Sequence, residues 1–498
     1  MENYQLDVNG LMVDIKIVET GEFAPSYMLT VPSIGDATKL LLVSFRSEML
    51  SMVPINTTLM EDKKYIEQIR KKYIDASNML IDRYLPGSDE ETKKILIAYI
   101  INIMMGLGDL EAPLADPHLE EIAVNGSRRP VWVFHEKYGW CRTNIVIGEE
   151  AVIYNDAEQI GRRVGRQITN LFPIMDAELP DGSRVNSTLF PVSQTGNTIT
   201  IRKFRKNPWT ITAMIANGTV STEIAALIWL CMQNEISVLV SGGTASGKTS
   251  FLNAISLFIP ATRRVISVEE TKELTLPRFL QWLPMLTRQS NPEGKGEVTL
   301  YDLMINALRQ RPDVMIVGEM RTQKDAETFF EAIHTGHAVY GTVHADDVQD
   351  TVIRMTNPPI AIPKIVLNSV GAIVTLFRHR RFGIRRVLEF GEVLVSGDAR
   401  VLYRWYLKGD RFDKVNELTR LMETIALYGG YAKNEITDEI AEKAKILNWL
   451  VENKVTDVDD VGYVIANYYK EKSMVLSAVD KKVPFAESGL KPAETGVQ

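Results

Sequence analysis

The 498-residue sequence has few cysteines and histidines and no excess of positive charge. Its two cysteines, Cys141 and Cys231, are too few for a disulfide framework or a four-cysteine zinc site, so we predict two reduced thiols packed in the interior. There are 56 lysines and arginines against 63 aspartates and glutamates, which gives a net charge of −7. A chain with this balance lacks the overall charge signature of a nucleic-acid-binding protein.

Long apolar runs are also absent. The most apolar run, Ile95–Met105, contains Asn102 and is much shorter than the roughly 20 apolar residues that a membrane-spanning helix needs. We therefore predict a buried core helix there. The amino terminus carries acids where a secretory signal peptide carries basic residues. These patterns predict a cytoplasmic or peripheral protein that reaches a membrane only through a partner.

What is present is a globular composition, 45% hydrophobic and 24% charged, on a chain long enough for about two to four domains. The domain boundaries are predicted where the period of the apolar residues changes and where Pro and Gly residues mark turns and loops. The predicted division is a strand and helical extension (1–110), an α/β domain (111–206), a linker (207–218), an α/β core (219–395), a helical part (396–480) and a disordered tail (481–498).

Local patterns predict the individual elements. Residues 1–50 are predicted as strands, since Val13–Glu19 alternates with period two and Leu40–Phe45 is a second apolar run. Helical spacing follows from about Glu61 to Pro86, and Asp89 is predicted to cap a second helix. Further on we predict strands at Leu119–Asn125, Val131–Phe134, Val185–Val192 and Thr198–Phe204, a helix at Glu149–Leu171 and another that begins after Ser221.

The strongest motif is GGTASGKT at Gly242–Thr249, between a β-branched apolar strand and an apolar helix. This is the context that a phosphate-binding loop requires, because loop amides and the helix amino terminus together bind an anion. Lys248 is predicted to contact the β- and γ-phosphates, and the Thr249 hydroxyl to ligate Mg²⁺. The predicted phosphate-binding residues are Gly242, Gly243, Thr244, Ala245, Ser246, Gly247, Lys248, Thr249 and Ser250.

Acidic residues end two other apolar strands. Glu319 ends DVMIVGE, and an acid at that position beside a phosphate loop can hold Mg²⁺ or orient the attacking water. Glu269 and Glu270 end VISVEE, and one of them could polarise water or orient the metal shell; a solvated pair is the alternative. Asp313 begins its strand and is predicted to cap or pair locally.

Three of the six histidines, His334, His337 and His344, fall in one short segment. The strand at 338–343 is predicted to bring His344 to the carboxyl edge of the sheet, where ligands bind. A zinc site would need further ligands with suitable spacing. Unrelated surface histidines remain an alternative. The preferred interpretation is that imidazoles, His344 and His337 among them, sense the γ-phosphate.

Four motifs stand in the order GGTASGKT, VISVEE, DVMIVGEMR and TGHAVYGTVHA. This order resembles the traffic ATPases of type II secretion, type IV pili, archaella and type IV secretion, in which the motifs are called Walker A, Asp box, Walker B and His box. The resemblance extends upstream to LADPHLEEIAVNG and covers about residues 110–475. It implies an α/β fold, with a RecA-like ATPase domain preceded by a mixed, PAS-like amino-terminal domain.

The same resemblance implies further properties. SRVNSTLFPV and TITIRKF are similar to the family's arginine-finger strands, which implies that role for Arg184 and Arg202. The implied cofactors are ATP and Mg²⁺, and the implied assembly is a homohexamer on a polytopic membrane platform protein at the cytoplasmic face, acting indirectly on pilin-like subunits. Too few cysteines are present for the zinc insert of bacterial members. The chain looks most like the archaeal members, which assemble pili or archaella.

Other functions remain open on the sequence. A nucleic-acid motor would suit the basic cluster Arg378–Arg381 with Arg385 and Arg386, although a solvated face or partner contact explains these residues more simply. A guanine-nucleotide switch lacks the N-K-x-D signature. An inactive scaffold is opposed by the complete set of motif residues.

Overall fold

The computed structural model describes residues 2–491 except 20, 22, 33, 54–62, 180, 206 and 291–293. The chain divides into two compact units, Met1–Arg205 and Lys206–Gln498. Each contains a nine-stranded sheet. Cys141, in the first unit, and Cys231, in the second, are both free and buried, as predicted, and burial raises the pKa of the Cys141 thiol to about 11.

The sheet of the first unit has the order β1-β2-β3-β6-β5-β4-β9-β8-β7. All neighbouring strands are antiparallel except the parallel pair β3 and β6. The strands are β1 (Glu2–Val8), β2 (Leu11–Val18), β3 (Ser26–Thr30), β4 (Leu119–Asn125), β5 (Pro130–His135), β6 (Gly139–Val146), β7 (Ile174–Glu178), β8 (Arg184–Thr188) and β9 (Thr198–Arg202). The helices are α1 (Asp36–Met52), α2 (Lys63–Tyr84), α3 (Glu90–Met105), α4 (Glu111–Ala115) and α5 (Glu150–Arg163).

The prediction of a strand at Leu40–Phe45 is wrong, because these residues belong to helix α1. Leu42, Phe45 and Met49 are buried and share a core with residues of α2 and α3. Their spacing of three and four residues places them on one face of a helix. This helical spacing of the buried residues explains why the apolar run Leu40–Phe45 forms part of a helix instead of a strand. The predicted cap of α3 is confirmed, since the Asp89 carboxylate accepts a hydrogen bond from the Thr92 amide at 2.7 Å.

Residues 1–110 are not a separate extension. Strand β3 pairs with β6 at Ser26↔Arg142 and Tyr27↔Thr143, so β1–β3 continue the sheet of residues 111–205. The predicted helix at Glu149–Leu171 ends at Arg163, shortly before Gly165, whose φ of 66° lies in the left-handed region.

The sheet of the second unit has the order β12-β11-β13-β14-β10-β15-β16-β17-β18, parallel from β12 to β15 and antiparallel from there. Its strands are β10 (Val238–Gly242), β11 (Arg264–Glu269), β12 (Gln281–Leu286), β13 (Val314–Glu319), β14 (Ala338–Val343), β15 (Ala372–His379), β16 (Ile384–Val393), β17 (Ala399–Tyr406) and β18 (Arg411–Lys414). Its helices are α6 (Ile211–Ala216), α7 (Thr222–Gln233), α8 (Lys248–Ser256), α9 (Leu300–Leu308), α10 (Gln323–His334), α11 (Val348–Thr356), α12 (Arg420–Gly429), α13 (Lys433–Glu452), α14 (Val458–Lys470) and α15 (Lys472–Asp480).

The central strands of the parallel part of this sheet are buried on both faces. Every residue of β10 and β14 is buried. Parallel sheets are covered by helices on both sides, so their strands are continuously apolar rather than alternating. The carboxyl ends of β10, β11, β13 and β14 therefore meet at one edge of the sheet, which is where the predicted site residues follow.

Three predicted boundaries in this unit are wrong. The predicted linker 207–218 contains α6, whose Ile211 and Met214 lie in the core of the unit. The predicted helical part 396–480 begins with strands β17 and β18. The predicted disordered tail packs as far as the structure describes it, since Leu490 is fully buried and the Trp449 indole donates to the Val483 carbonyl at 3.0 Å. Residues 492–498 lie outside the described residues.

Across the described ranges, no single helix is both long and apolar enough to cross a membrane. The segments Glu90–Met105 and Gly108–Ala115 satisfy the length and composition only as a pair, and they are bent by 107°.

Candidate nucleotide-binding site

The glycine-rich loop connects β10 to α8 at the centre of the parallel sheet. Gly242 has a φ of 154° and Gly247 a φ of 98°, both outside the range that side chains favour. A Cβ atom on Gly242 would also lie 2.4 Å from Ser246 Oγ and 2.5 Å from the Leu376 carbonyl oxygen. The loop conformation therefore requires glycine at this position.

The loop leads directly into α8, and its cap residue Gly247 has no side chain to satisfy the first helix amides. These amides and the positive end of the helix dipole can bind an anion. The Lys248 ammonium donates to the carbonyl oxygens of Gly242 at 2.9 Å and Gly243 at 3.3 Å. Burial lowers the pKa of Lys248, and the nearby carboxylates of Glu319 and Glu273 oppose that shift.

His344 follows β14, the strand next to β10, and reaches the same edge of the sheet. Its Nδ1 lies 3.4 Å from the Lys248 Nζ, so an unprotonated Nδ1 can accept a hydrogen bond from the ammonium. The structure thus brings His344 to the phosphate loop.

His337 is not part of this site. It precedes β14, so the whole strand, about 20 Å long, separates it from His344. Its Nδ1 lies 3.1 Å from Thr335 Oγ1 and 3.0 Å from the Ala332 carbonyl oxygen. His334 lies at the same end of the strand and contacts Ser369. Within the described part of the chain, no cluster of three or more His, Cys, Asp or Glu residues could hold a metal ion.

Glu319 ends β13 and contacts Arg321, a residue of the motif DVMIVGEMR for which the sequence predicted no role. The Arg321 guanidinium donates to Glu319 at 3.3 Å and to Glu270 at 3.0 Å. All three side chains are partly exposed. Arg321 therefore joins the acids of two strands, β11 and β13, at the ligand edge of the sheet.

Glu269 and Glu270 have different environments. Glu269 is buried, and its carboxylate accepts the backbone amides of Glu273 at 2.8 Å and Leu274 at 3.0 Å. Burial raises the pKa of Glu269 to about 7, although these amide bonds work in the opposite direction. Glu269 thus holds the turn that follows β11, whereas Glu270 faces Arg321. Asp313 lies at the opposite edge and accepts the Arg264 amide of the adjacent strand β11 at 2.7 Å.

Arg184 and Arg202 belong to the first unit. Arg184 on β8 is the direct cross-strand partner of Arg202 on β9. On its other side, Arg202 is paired with Glu121 of β4. The Arg202 side chain is exposed and Arg184 is partly buried. Two guanidinium groups are therefore presented side by side on one sheet.

Two arginines of the basic cluster make hydrogen bonds within the protein, so a solvated face alone does not account for the cluster. Arg385 Nε donates to the Ala245 carbonyl oxygen of the phosphate loop at 3.2 Å. Arg386 is buried and donates to both oxygens of Asp410, at 2.8 and 2.7 Å. The cluster of like charges was visible in the sequence, but 140 residues separate Arg385 from its loop contact.

The sequence comparisons decide the family. A family model described as "Type II/IV secretion system protein" matches residues 146–380. An uncharacterized protein of Methanocaldococcus jannaschii is 33% identical, over 92% of this chain and 87% of that protein. The chain belongs to the type II/IV secretion system protein family. A putative conjugal transfer protein of Mycobacterium tuberculosis is 30% identical, over 60% of this chain and 87% of that protein.

One solved structure matches much of the chain at low sequence identity. The ATPase DotB of Yersinia pseudotuberculosis matches with a TM-score of 0.44 and 15% identity, over 76% of this chain and 94% of DotB. The two sheets of the structure confirm the predicted α/β fold, and the sequence comparisons confirm the predicted family. The matched span of this type II/IV secretion family member begins at the end of β6 and ends after β15, so it includes the two arginines, the phosphate loop, Glu319 and His344.

Proposed function

We propose that this protein is a motor that hydrolyses Mg-ATP to drive a membrane-embedded machine that assembles a type IV pilus-like filament or secretes proteins. The observation that carries the proposal is the convergence of Lys248, Glu319 and His344 at one edge of the parallel sheet. A lysine and a carboxylate beside a phosphate-binding loop are groups that recur in enzymes that transfer a phosphoryl group to water. An imidazole next to them adds a possible hydrogen-bond donor to the phosphates.

Each group has a task in this reaction. The loop amides and Lys248 bind the phosphates, so that charge which develops on them during hydrolysis is neutralised. Glu319 would accept a hydrogen bond from the attacking water, and the partial exposure of its side chain supports this role. His344 contacts Lys248 and can report the presence of the γ-phosphate to β14.

Magnesium fits the donor set at this edge. The Thr249 hydroxyl lies in the first turn of α8, and the Glu319 carboxylate ends β13, so both offer the hard oxygen ligands that Mg²⁺ prefers. These two residues would hold the ion, directly or through water. When bound, Mg²⁺ supplies charge neutralisation on the β- and γ-phosphate oxygens.

Arg184 and Arg202 are proposed as arginine fingers that approach the nucleotide within a homohexamer. Their pairing on adjacent strands supports this role, because two guanidiniums side by side suit a polyanion. Neutralisation of the transferred phosphoryl group by an arginine is worth about 10³–10⁵ in rate in other nucleotide hydrolases.

The machine that this motor drives is proposed from its membership of the family. A ring of this kind would act at the cytoplasmic face of the cell membrane on a polytopic platform protein, and through it on pilin-like subunits. An archaellum motor or a type IV secretion ATPase is the alternative output.

Phosphate release from ATP by the purified protein tests the proposal. We expect magnesium-dependent turnover in the wild type and a loss on the order of 10²–10³-fold in Lys248→Ala, with weaker nucleotide binding. Lys445→Ala is the matched control, since that lysine is exposed and pairs with Asp480. Equal turnover in Lys248→Ala and the control would refute the assignment of the loop.

Deletion of the gene tests the output. Surface filaments are then typed by electron microscopy. Loss of pili with retained swimming filaments would assign the motor to a pilus, and the opposite pattern would assign it to an archaellum. Retention of both filaments would contradict a role in filament assembly.

A further inference from the structure

Arg385 lies against the phosphate loop from the side opposite to His344. His344 follows β14, which pairs with one edge of β10, whereas Arg385 is on β16, two strands beyond the other edge. Its Nε donates to the Ala245 carbonyl oxygen at 3.2 Å. Its Cδ would lie 3.5 Å from a Cβ atom on Gly247, so the aliphatic stem also packs on the loop.

The contact falls on the most constrained non-glycine residue of the loop. Ala245 has a φ of 59°, in the left-handed region that alanine disfavours. A charge-assisted hydrogen bond to its carbonyl oxygen stabilises that conformation and fixes the orientation of the peptide that follows. The next amides in the chain are those that line the phosphate site.

Arg385 is itself held in place by its neighbour. Arg386 Nη1 donates to the Arg385 carbonyl oxygen at 2.9 Å, while its Nε and Nη2 bind the Asp410 carboxylate. The Trp405 indole donates to the same carboxylate at 2.7 Å. The turn between β17 and β18 thus positions the backbone from which Arg385 reaches the loop.

We propose that Arg385 is a positioning residue of the nucleotide site: it holds the Ala245 peptide in its binding orientation and places a second positive charge beside the bound polyphosphate. This inference rests on the proposed function and extends it, because Arg385 lies beyond the span 146–380 that the family model matches. Its loss weakens nucleotide binding and leaves the chemical step largely intact.

The test compares Arg385→Met, Arg385→Lys and Arg380→Met in the full-length protein. Met keeps the aliphatic stem against Gly247 but removes the donor and the charge, whereas Lys keeps a charged donor. Arg380 is an exposed arginine of the same hairpin and is the matched control. Mg-ATP turnover gives KM and kcat, and direct binding of the nucleotide to the protein gives Kd.

We expect Arg385→Met to raise KM and Kd about tenfold, as for loss of one charge-assisted hydrogen bond, with kcat within about twofold of the wild type. Arg385→Lys should restore KM to within about threefold. Asp410→Asn should raise KM in the same direction, because it releases Arg386.

Equal KM values for Arg385→Met and Arg380→Met would overturn the inference, as would a loss confined to kcat. The wild type is measured first, and a wild type without nucleotide binding or turnover would refute the proposed function instead. If Arg385→Met failed to fold, Asp410→Asn decides: an unchanged KM in that variant overturns the inference, and a raised KM supports it.

Discussion

Lys248 Nζ lies 3.4 Å from His344 Nδ1, although 96 residues separate them in the chain. Lys248 begins α8 after the loop that follows β10, and His344 directly follows β14, the parallel neighbour of β10. An ammonium and an imidazole at this distance cannot both carry a proton on the facing atoms without repulsion. An anion bound beside the pair would accept a hydrogen bond from each nitrogen that carries a proton.

Substitution of the two histidines should separate their roles. We expect His344→Gln to reduce ATP turnover about 10²-fold, as for other removed donors at a phosphoryl site. His337→Gln should keep turnover near that of the wild type, because His337 contacts Thr335 and Ala332 at the other end of β14. Steady-state phosphate release from both folded variants measures this. Similar losses in both would contradict the assignment of His344 alone to the site.

Glu319 and Glu270 share Arg321 but should differ in catalysis. Glu319→Gln is expected to bind Mg-ATP and to hydrolyse it at least about 10²-fold more slowly, because the amide cannot accept the proton of the attacking water. Glu270→Gln should have the smaller effect, since it removes one exposed partner of Arg321. Nucleotide binding and single-turnover hydrolysis give the two values. A larger loss in Glu270→Gln would move the water-orienting role to that residue.

Stability should depend on pH through Glu269. Burial raises the pKa of its carboxyl from 4.5 to about 7, so the folded state holds a proton that the unfolded state releases. This contribution to stability is fully present below about pH 4.5 and is lost as the pH rises to about 7. The total is roughly 3 kcal/mol from the size of the shift.

Glu269→Gln removes this titration and keeps an oxygen that can accept the Glu273 and Leu274 amides. In the absence of nucleotide, the wild type should therefore lose stability relative to the variant between pH 5 and 8. Thermal unfolding of both proteins at each pH provides the comparison. A constant difference in Tm across that range would show that Glu269 does not titrate there.

Arg202→Ala should fold normally and lose turnover, since its side chain is exposed on β9. The expected loss is about 10³-fold, as for an arginine finger. Mixing this variant with Lys248→Ala tests whether sites are shared between subunits. Recovery of activity in the mixture would support sharing, and activity that stays at the level of the separate variants would place finger and nucleotide in one chain.

Much of the site could be predicted because its signals are local. The glycines and Lys248 of the loop lie within eight consecutive residues, and the strand before them and the helix after them are marked by composition. The acids at the ends of β11 and β13 were found for the same reason, since parallel strands bring their carboxyl ends to one edge. The separation of His337 from His344 could also have been predicted, because His337 precedes β14 and His344 follows it. We grouped the two histidines because both belong to the motif TGHAVYGTVHA.

The sequence by itself determined the family, the α/β class and the phosphate loop, because short-range patterns of glycine, apolar residues and strand ends are sufficient for these. Only the tertiary structure decided that β1–β3 join the sheet of residues 111–205, that Arg321 links Glu319 to Glu270, and that Arg385 holds Ala245. Such contacts depend on strand order and register across large separations in the chain. A long charged side chain looks the same in the sequence whether it meets water or a loop carbonyl, and the fold alone decides which.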